Sequence, residues 1–386
     1  MKTIKVLCLI FFFSLPNVSK AAENEDSKPK VTSEVAFLLD NDTGAILFQQ
    51  NGFEKMYPAS LTKIATAIYA IEKGDLDDMV TVSENAYETE GTSVYLEIGE
   101  KVTLKHLLQG MLINSGNDAA VAIAEHLDGT VTQFEKNINT YLNEEVHVHS
   151  THFTNPNGLF DRNHYTTAHD LALITQYALK NDTFRVIYGT KELFWDGETW
   201  DTTLISHHQM LNGERPYHEV IGGKTGYVDE SKQTLATTAE NKNMSLTAIV
   251  LKGNFKRDVY KDTKELLDYG FQNFKHEYIS SNQNFTTEQT TYKLDTSKEV
   301  TVSNKNSHQE LTSSGVLLIE SSEGDILHSI PLNKVQEDKE ETKDPLTVEV
   351  KTEGKKSGIS LSVVLFGMLV IGCYYLNKWA KDRKRV

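Results

Sequence analysis

Ser60-Leu61-Thr62-Lys63, read with the residues on either side, decides how this chain folds. Leu61, Ile64, Ala65, Ile68 and Ile71 recur at helical spacing and stop near Gly74, which predicts a helix with Ser60 at its start. Residues three apart share a helix face, so the Ser60 hydroxyl lies beside the Lys63 amine one turn on. Serine is a poor nucleophile at its own pKa and needs a base within hydrogen-bond reach. A lysine serves as that base only when neutral. Burial and a neighbouring cation can bring it from about 10.4 toward about 7–8.

Further along the chain, Ser115-Gly116-Asn117 and Lys224-Thr225-Gly226 supply what this pair lacks. Taken singly each string has a bland reading: a helix N-cap, a turn, a strand ending in a turn. Taken together, each sits in a segment suited to a chemical task. Residues 103–112 and 118–127 read as helices with residues 114–117 as the loop between them. That loop exposes the Ser115 hydroxyl as a proton relay and the Asn117 amide as a holder of a substrate carbonyl. Residues 220–224 read as a strand, so Lys224 and Thr225 lie at its end. A strand edge aligns an extended peptide while these side chains take a terminal carboxylate, with Lys224 also the cation beside Lys63. Gly223 and Gly226 remove side chains where substrate backbone comes close. The backbone N–H groups of Ser60 and Tyr227 are natural donors to an oxyanion.

The rest of the chain is built around these segments. Residues 35–39 and 45–48 read as a hairpin, and residues 234–238 and 246–251 as further strands. Helical patterns cover residues 134–142, 168–179 and 262–274. Strands at both ends and helices in the middle make one sheet flanked by a helical cluster, an α/β (α+β) catalytic domain over residues 22–276. From about Tyr278 Ser, Thr, Asn and Lys dominate, with alternating runs, so residues 277–335 read as a small all-β domain. Residues 336–357 form a charged linker.

Both ends of the 386-residue chain carry targeting signals. Lys2 and Lys5, an apolar run over residues 6–15, Pro16 and then Ser19-Lys20-Ala21 make a secretory signal, residues 1–21. Residues 358–376 are uncharged, mostly apolar and of the length, about 20 residues, that spans a bilayer. Lys378, Lys381, Arg383, Lys384 and Arg385 follow in a tail, residues 377–386, that the positive-inside rule keeps in the cytoplasm. The expected location is a bacterial cell membrane with the catalytic domain on its extracytoplasmic face. Cys8 and Cys373 fall within the signal and the span, leaving the part between them with neither a disulfide framework nor a thiolate zinc site. A formal net charge of −15 argues against nucleic acid as a partner.

The three motifs resemble those of the penicillin-binding protein and serine β-lactamase superfamily, and most closely the low-molecular-mass D-alanyl-D-alanine carboxypeptidases, peptidase family S11. The likeness runs from about Val35 to Phe274 and includes Pro58-Ala59-Ser60-Leu61-Thr62-Lys63 and Gly222-Gly223-Lys224-Thr225-Gly226-Tyr227. Asn155-Pro156-Asn157-Gly158-Leu159 and the stretch from His164 to Ala172 match as well. The resemblance implies a β-lactamase/transpeptidase-like fold and a peptidoglycan stem pentapeptide ending in D-Ala-D-Ala as substrate. It further implies attack by Ser60 on the penultimate carbonyl with Lys63 as base, covalent capture of β-lactam antibiotics, and no cofactor. By the same resemblance Arg257 is the candidate arginine for the substrate carboxylate.

Two rival readings have their own features. A class A-like β-lactamase adds a Glu-Xaa-Xaa-Leu-Asn string, and the nearest match here is Glu135-Lys136-Asn137-Ile138-Asn139, in a helical stretch. A non-catalytic peptidoglycan-binding module would have no need of an intact nucleophile, base and relay. His147, His149 and His152 lack a helical or finger-like spacing, and no metal site is expected there.

Overall fold

Val35–Asp40 is buried at all six positions because the sheet to which it belongs is covered on both faces. The computed structural model describes residues 28–287 and 290–335. The expected signal, charged linker, apolar span and basic tail lie outside the described residues. Among the described residues no helix is long and apolar enough to cross a membrane. The central sheet has five strands in the order Ile46–Gln50, Val35–Asp40, Ser245–Gly253, Lys232–Glu240, Val220–Val228, each antiparallel to its neighbour.

Side chains alternate across a strand, and the two faces feed two cores. Val35, Phe37 and Leu39 pack with Leu61, Ile64 and Ile68 and with Leu107, Met111 and Ile123 of the helical cluster. Ala36 and Leu38 pack on the other side with Leu246, Ala248 and Val250 and with Val259, Leu266 and Leu267 of the helix Lys256–Asn273. The helix Thr62–Lys73 is buried continuously from Thr62 to Ala70, so it runs through the helical layer rather than over it. Around it, Thr103, Thr130 and Thr167 each accept a backbone N–H at a helix start. The short connection from Ile113 to Asn117 joins the helix Leu104–Ile113, capped by Thr103, to the helix Asn117–Asp128, which starts at Gly116 without a side-chain cap.

The helix Lys256–Asn273 passes directly into the strand Phe274–Ile279, which pairs with Lys298–Ser303. The strands from there to Asn333–Lys334 are β throughout and enclose a core of Ile279, Tyr292, Val300, Val302, Leu317, Ile319 and Ile330. A polar clasp joins this part to the main sheet. The Asp40 carboxylate, wholly buried, pairs with His276 Nε2 at 2.7 Å and accepts from Thr301 Oγ1 at 2.7 Å. Thr301 N in turn donates to His328 Nε2 at 2.8 Å.

Two features differ from the sequence-based expectation. The strand expected over residues 220–224 continues to Val228, so Lys224-Thr225-Gly226 lies inside it rather than at its end. Pairing with Lys232–Glu240 carries it through a glycine-rich stretch with little apolar pattern of its own. The hairpin Glu192–Asp196/Asp201–Ile205 has no counterpart among the expected elements; it is anchored by Trp195, which stacks on His106 at 4.1 Å.

Candidate active site

Ser60 sits in a 3-10 turn, Ala59–Leu61, just ahead of the helix rather than in its first α-turn. Ala59 has φ +48°, a left-handed conformation uncommon outside glycine. The turn is gripped from outside. Thr234 Oγ1 donates to Pro58 O at 3.0 Å, and Gly158, at φ +86°, lies so close that a Cβ there would meet Ala59 O at 1.9 Å. Across the turn, a Cβ on Gly226 would come within 2.8 Å of Ser60 N. Gly226 therefore lets the strand Val220–Val228 lie against the nucleophile itself.

Lys63 is fully buried, and its Nζ has three neighbours: Ser60 Oγ at 3.0 Å, Asn117 Oδ1 at 2.7 Å and Asn157 O at 2.7 Å. Asn117 Nδ2 donates to Glu90 O at 2.7 Å, which fixes the amide with its oxygen toward the lysine. Asn117 Oδ1 and Asn157 O can only accept. A neutral amine must give its two hydrogens to them, and its lone pair is then left facing the Ser60 hydroxyl. Burial, then the charge of Lys224, holds the Lys63 pKa well below the ordinary value of 10.5, partly opposed by Asp118. Lys224 is itself buried, and burial pushes it down to about 7.

Lys224 Nζ donates to Ser115 Oγ at 2.9 Å and to Thr225 O at 2.9 Å. Ser115 has φ +64°, a strain of about 1–3 kcal/mol that its surroundings hold in place. Asn117 N donates to Thr92 O at 2.7 Å, and the buried Asp118 carboxylate accepts from the backbone of Val94, Leu96 and Ala119. The second motif is thus locked to the loop around residues 90–96. One hydrogen of the Asn117 amide remains for a substrate carbonyl after Glu90 has taken the other.

The structure brings Ser60, Lys63, Ser115, Asn117, Lys224, Thr225 and Gly226 together through these contacts. Tyr227 follows on the same strand with its ring 53% exposed and its hydroxyl on Asp229. Two expectations change. A Cβ on Gly223 would strike the His208 ring at 2.3 Å, so this glycine makes room for a buried histidine rather than for substrate. Arg257 does not join the cluster: its side chain is 75% exposed and Nε pairs with Asp258 at 3.0 Å. The same helix starts with a second cation, Lys256. It acts on His207, an imidazole brought down to about 4 by partial burial and then by Lys224, Lys256 and Lys63. His207 went unmarked in the sequence because nothing in its spacing distinguishes it from a loop histidine.

Glu135 lies within the helix Val131–Glu144, its backbone oxygen taken by Asn139, while Asn137 donates to Asp128. Ile138 is buried in the core and the Asn139 side chain bonds the Phe153 backbone, so the string fastens this helix to its neighbours. His149 pairs with Asn143 and His152 with Asn163 O, so the histidines of this region are engaged separately. Among the described residues the group with metal-like spacing is Asp40, Asp42 and His276, in the clasp described above.

Comparison with known proteins gives one family, two relatives and two solved structures. The family described as D-alanyl-D-alanine carboxypeptidase, peptidase S11, matches residues 22–254. A D-alanyl-D-alanine carboxypeptidase DacF of Bacillus subtilis is 33% identical over 299 residues, 73% of this chain and 75% of the relative. DacA of Haemophilus influenzae is 32% identical over 71% of each chain. Among solved structures, penicillin binding protein 5 of Haemophilus influenzae superposes with a TM-score of 0.67 at 25% identity, covering 80% of this chain and 98% of the other. A carboxypeptidase DacD of Francisella tularensis, at 22% identity and TM-score 0.68, shows the same fold.

Proposed function

We propose, from the premise that the chain belongs to the peptidase S11 family of D-alanyl-D-alanine carboxypeptidases, a residue-by-residue assignment of its chemistry. The protein is a serine-type D-Ala-D-Ala carboxypeptidase of the cell envelope. Its substrate is the peptidoglycan stem pentapeptide. One observation carries the assignment: Lys63 Nζ lies 3.0 Å from Ser60 Oγ with its other two hydrogen-bonding directions taken by obligate acceptors. The neutral amine takes the hydroxyl proton as Oγ attacks the carbonyl of the penultimate D-alanine. The oxyanion forms at the backbone N–H groups of Ser60 and Tyr227. Lys224 and Thr225 hold the terminal carboxylate, and the Asn117 amide an upstream carbonyl. Collapse breaks the peptide bond, the departing amine receives its proton from Lys63 by way of Ser115, and D-alanine leaves. Lys63 then activates the water that cleaves the ester.

A β-lactam presents the same carboxylate and a strained amide, so Ser60 opens it to a penicilloyl ester. Its leaving amine stays tethered and obstructs the water. A β-lactamase overcomes this with a dedicated glutamate, and Glu135, the candidate here, lies half-buried within the helix Val131–Glu144. The membrane attachment is proposed on the sequence of residues 358–376, with the basic tail inside and the catalytic part outside. Residues 22–357, incubated with a synthetic pentapeptide ending in D-Ala-D-Ala, should release free D-alanine. With penicillin they should show one long-lived adduct on Ser60 by intact-mass spectrometry. Rapid penicillin turnover without an adduct would favour the β-lactamase reading instead.

A further inference from the structure

Behind the nucleophile lies a chain of hydrogen bonds that no step of the reaction above uses. Thr154 N donates to His164 Nδ1 at 3.0 Å, and His164 Nε2 lies 2.8 Å from Thr62 Oγ1. Thr62 Oγ1 lies 2.9 Å from Ala59 O. A backbone N–H can only donate, so Nδ1 accepts and the single proton of the neutral ring sits on Nε2, aimed at the threonine. Ala59 O can only accept, so the threonine hydrogen goes there. The protons from His164 Nε2 to Ala59 O are thereby ordered in one direction, with Thr154 Oγ1, 3.3 Å from Nδ1, on the accepting side of the ring. Thr62 and His164 are 0% and 2% exposed, so no solvent competes for these bonds. Burial drives the imidazole down to about 3, which keeps it neutral across the working pH range. His164 is held flat against Phe153, 4.9 Å between rings at 17°.

The chain ends on one particular peptide group. Ala59 O and Ser60 N–H are the two ends of the same amide, and Ala59 O also accepts the Thr62 backbone N–H. Hydrogen bonds at a carbonyl oxygen pull electrons through the amide and make its N–H a stronger donor; linked bonds in a dry interior reinforce one another. We propose that His164 and Thr62 are positioning residues that strengthen and aim the Ser60 N–H as an oxyanion donor by loading the carbonyl at the opposite end of its peptide bond. The left-handed Ala59 is the residue whose orientation they hold. The inference rests on the reading of Ser60 as nucleophile and of its N–H as a donor to the oxyanion.

The test is the carbonyl stretch of the penicilloyl ester on Ser60, measured by infrared difference spectroscopy alongside the acylation rate. Thr62→Val keeps the shape and removes the relay. It should move the ester band to higher wavenumber, slow acylation about tenfold and leave KM for the pentapeptide within about twofold, less than the loss of a whole donor. Thr62→Ser should restore both band and rate. If Thr62→Val fails to fold, His164→Phe keeps the stack on Phe153 without the N–H and should shift the band the same way by less. An unshifted band in whichever variant folds, or a loss confined to KM, overturns the relay while leaving the serine mechanism intact. Failure of the wild type to form an ester at Ser60 overturns both.

Discussion

At the residue scale, the proposed mechanism makes Ser60 and Lys63 one unit, 3.0 Å apart. Ser60→Ala and Lys63→Ala should each reduce D-alanine release by about 10³-fold or more, and the double variant should be no worse than either. Additive losses would break the pairing. The two buried lysines also set the pH profile. Burial and then the charge of Lys224 hold Lys63 well below 10.5, so in the proposed mechanism activity should rise as pH climbs through its depressed value. Lys224, brought down to about 7, then loses the charge that meets the substrate carboxylate, and kcat/KM falls above that pH. The expected profile is a bell whose falling limb lies well below 10.5. Lys224→Arg, which stays charged, should remove that limb whatever it does to the rate. A wild-type profile that climbs without a fall to pH 10 would refute the assignment of the limb. The residue types at this site were legible in the sequence because nucleophile and base are neighbours on one turn. The contacts of His164 and His208 were not, although His164 opens a stretch that matches the family, because they arise from burial against segments distant in sequence: His208 bonds Thr237 at 2.8 Å, and His164 reaches Thr62 across the fold.

At the element scale, apolar periodicity made the long helices and the central strands readable. It carried no information on the turn that holds Ser60. That turn depends on Ala59 at φ +48° and on the neighbouring Gly158 at φ +86°, conformations imposed by contact between segments nearly a hundred positions apart. Gly158→Ala would drive a methyl into Ala59 O and strain its own backbone. The expected result is a loss of roughly 3 kcal/mol in a denaturant melt, together with most of the D-alanine release. A variant of wild-type stability would show that the contact relaxes easily. Residues 220–224 announced a strand, yet only partner pairing extends it to Val228, since Gly222, Gly223 and Gly226 add no side-chain pattern.

At the scale of the whole molecule, buried histidines tie stability to pH. His164 and His208 are brought down to about 3 by burial, against 6.5 when the chain unfolds. The unfolded chain therefore binds more protons than the folded one below about pH 6.5, and stability falls as pH drops from there toward 3. His208→Asn should lower the melting temperature at pH 7 yet lose less between pH 6.5 and 4 than the wild type. Parallel curves would mean that other groups carry the acid response. The same scale holds the question of attachment. Removing residues after Lys356 should give an active protein released into the medium, and a truncated form that still sediments with membranes would place the attachment elsewhere.

Among the described residues the strand Val220–Val228, which carries the third motif, is also the last strand of its sheet. Most proteins blunt such an edge with a proline, an outward lysine or a covering loop, because a bare edge invites another chain to pair with it. Here those defences conflict with use. A proline would remove a donor the substrate needs, a covering loop would shut the site, and Lys224 points inward to Ser115. In the proposed mechanism substrate pairing along this strand takes the place of such a defence, while Gly222, Gly223, Lys224 and Gly226 are buried within the fold. The chain as a whole is acidic, with a formal net charge of −15, and like-charged copies repel one another.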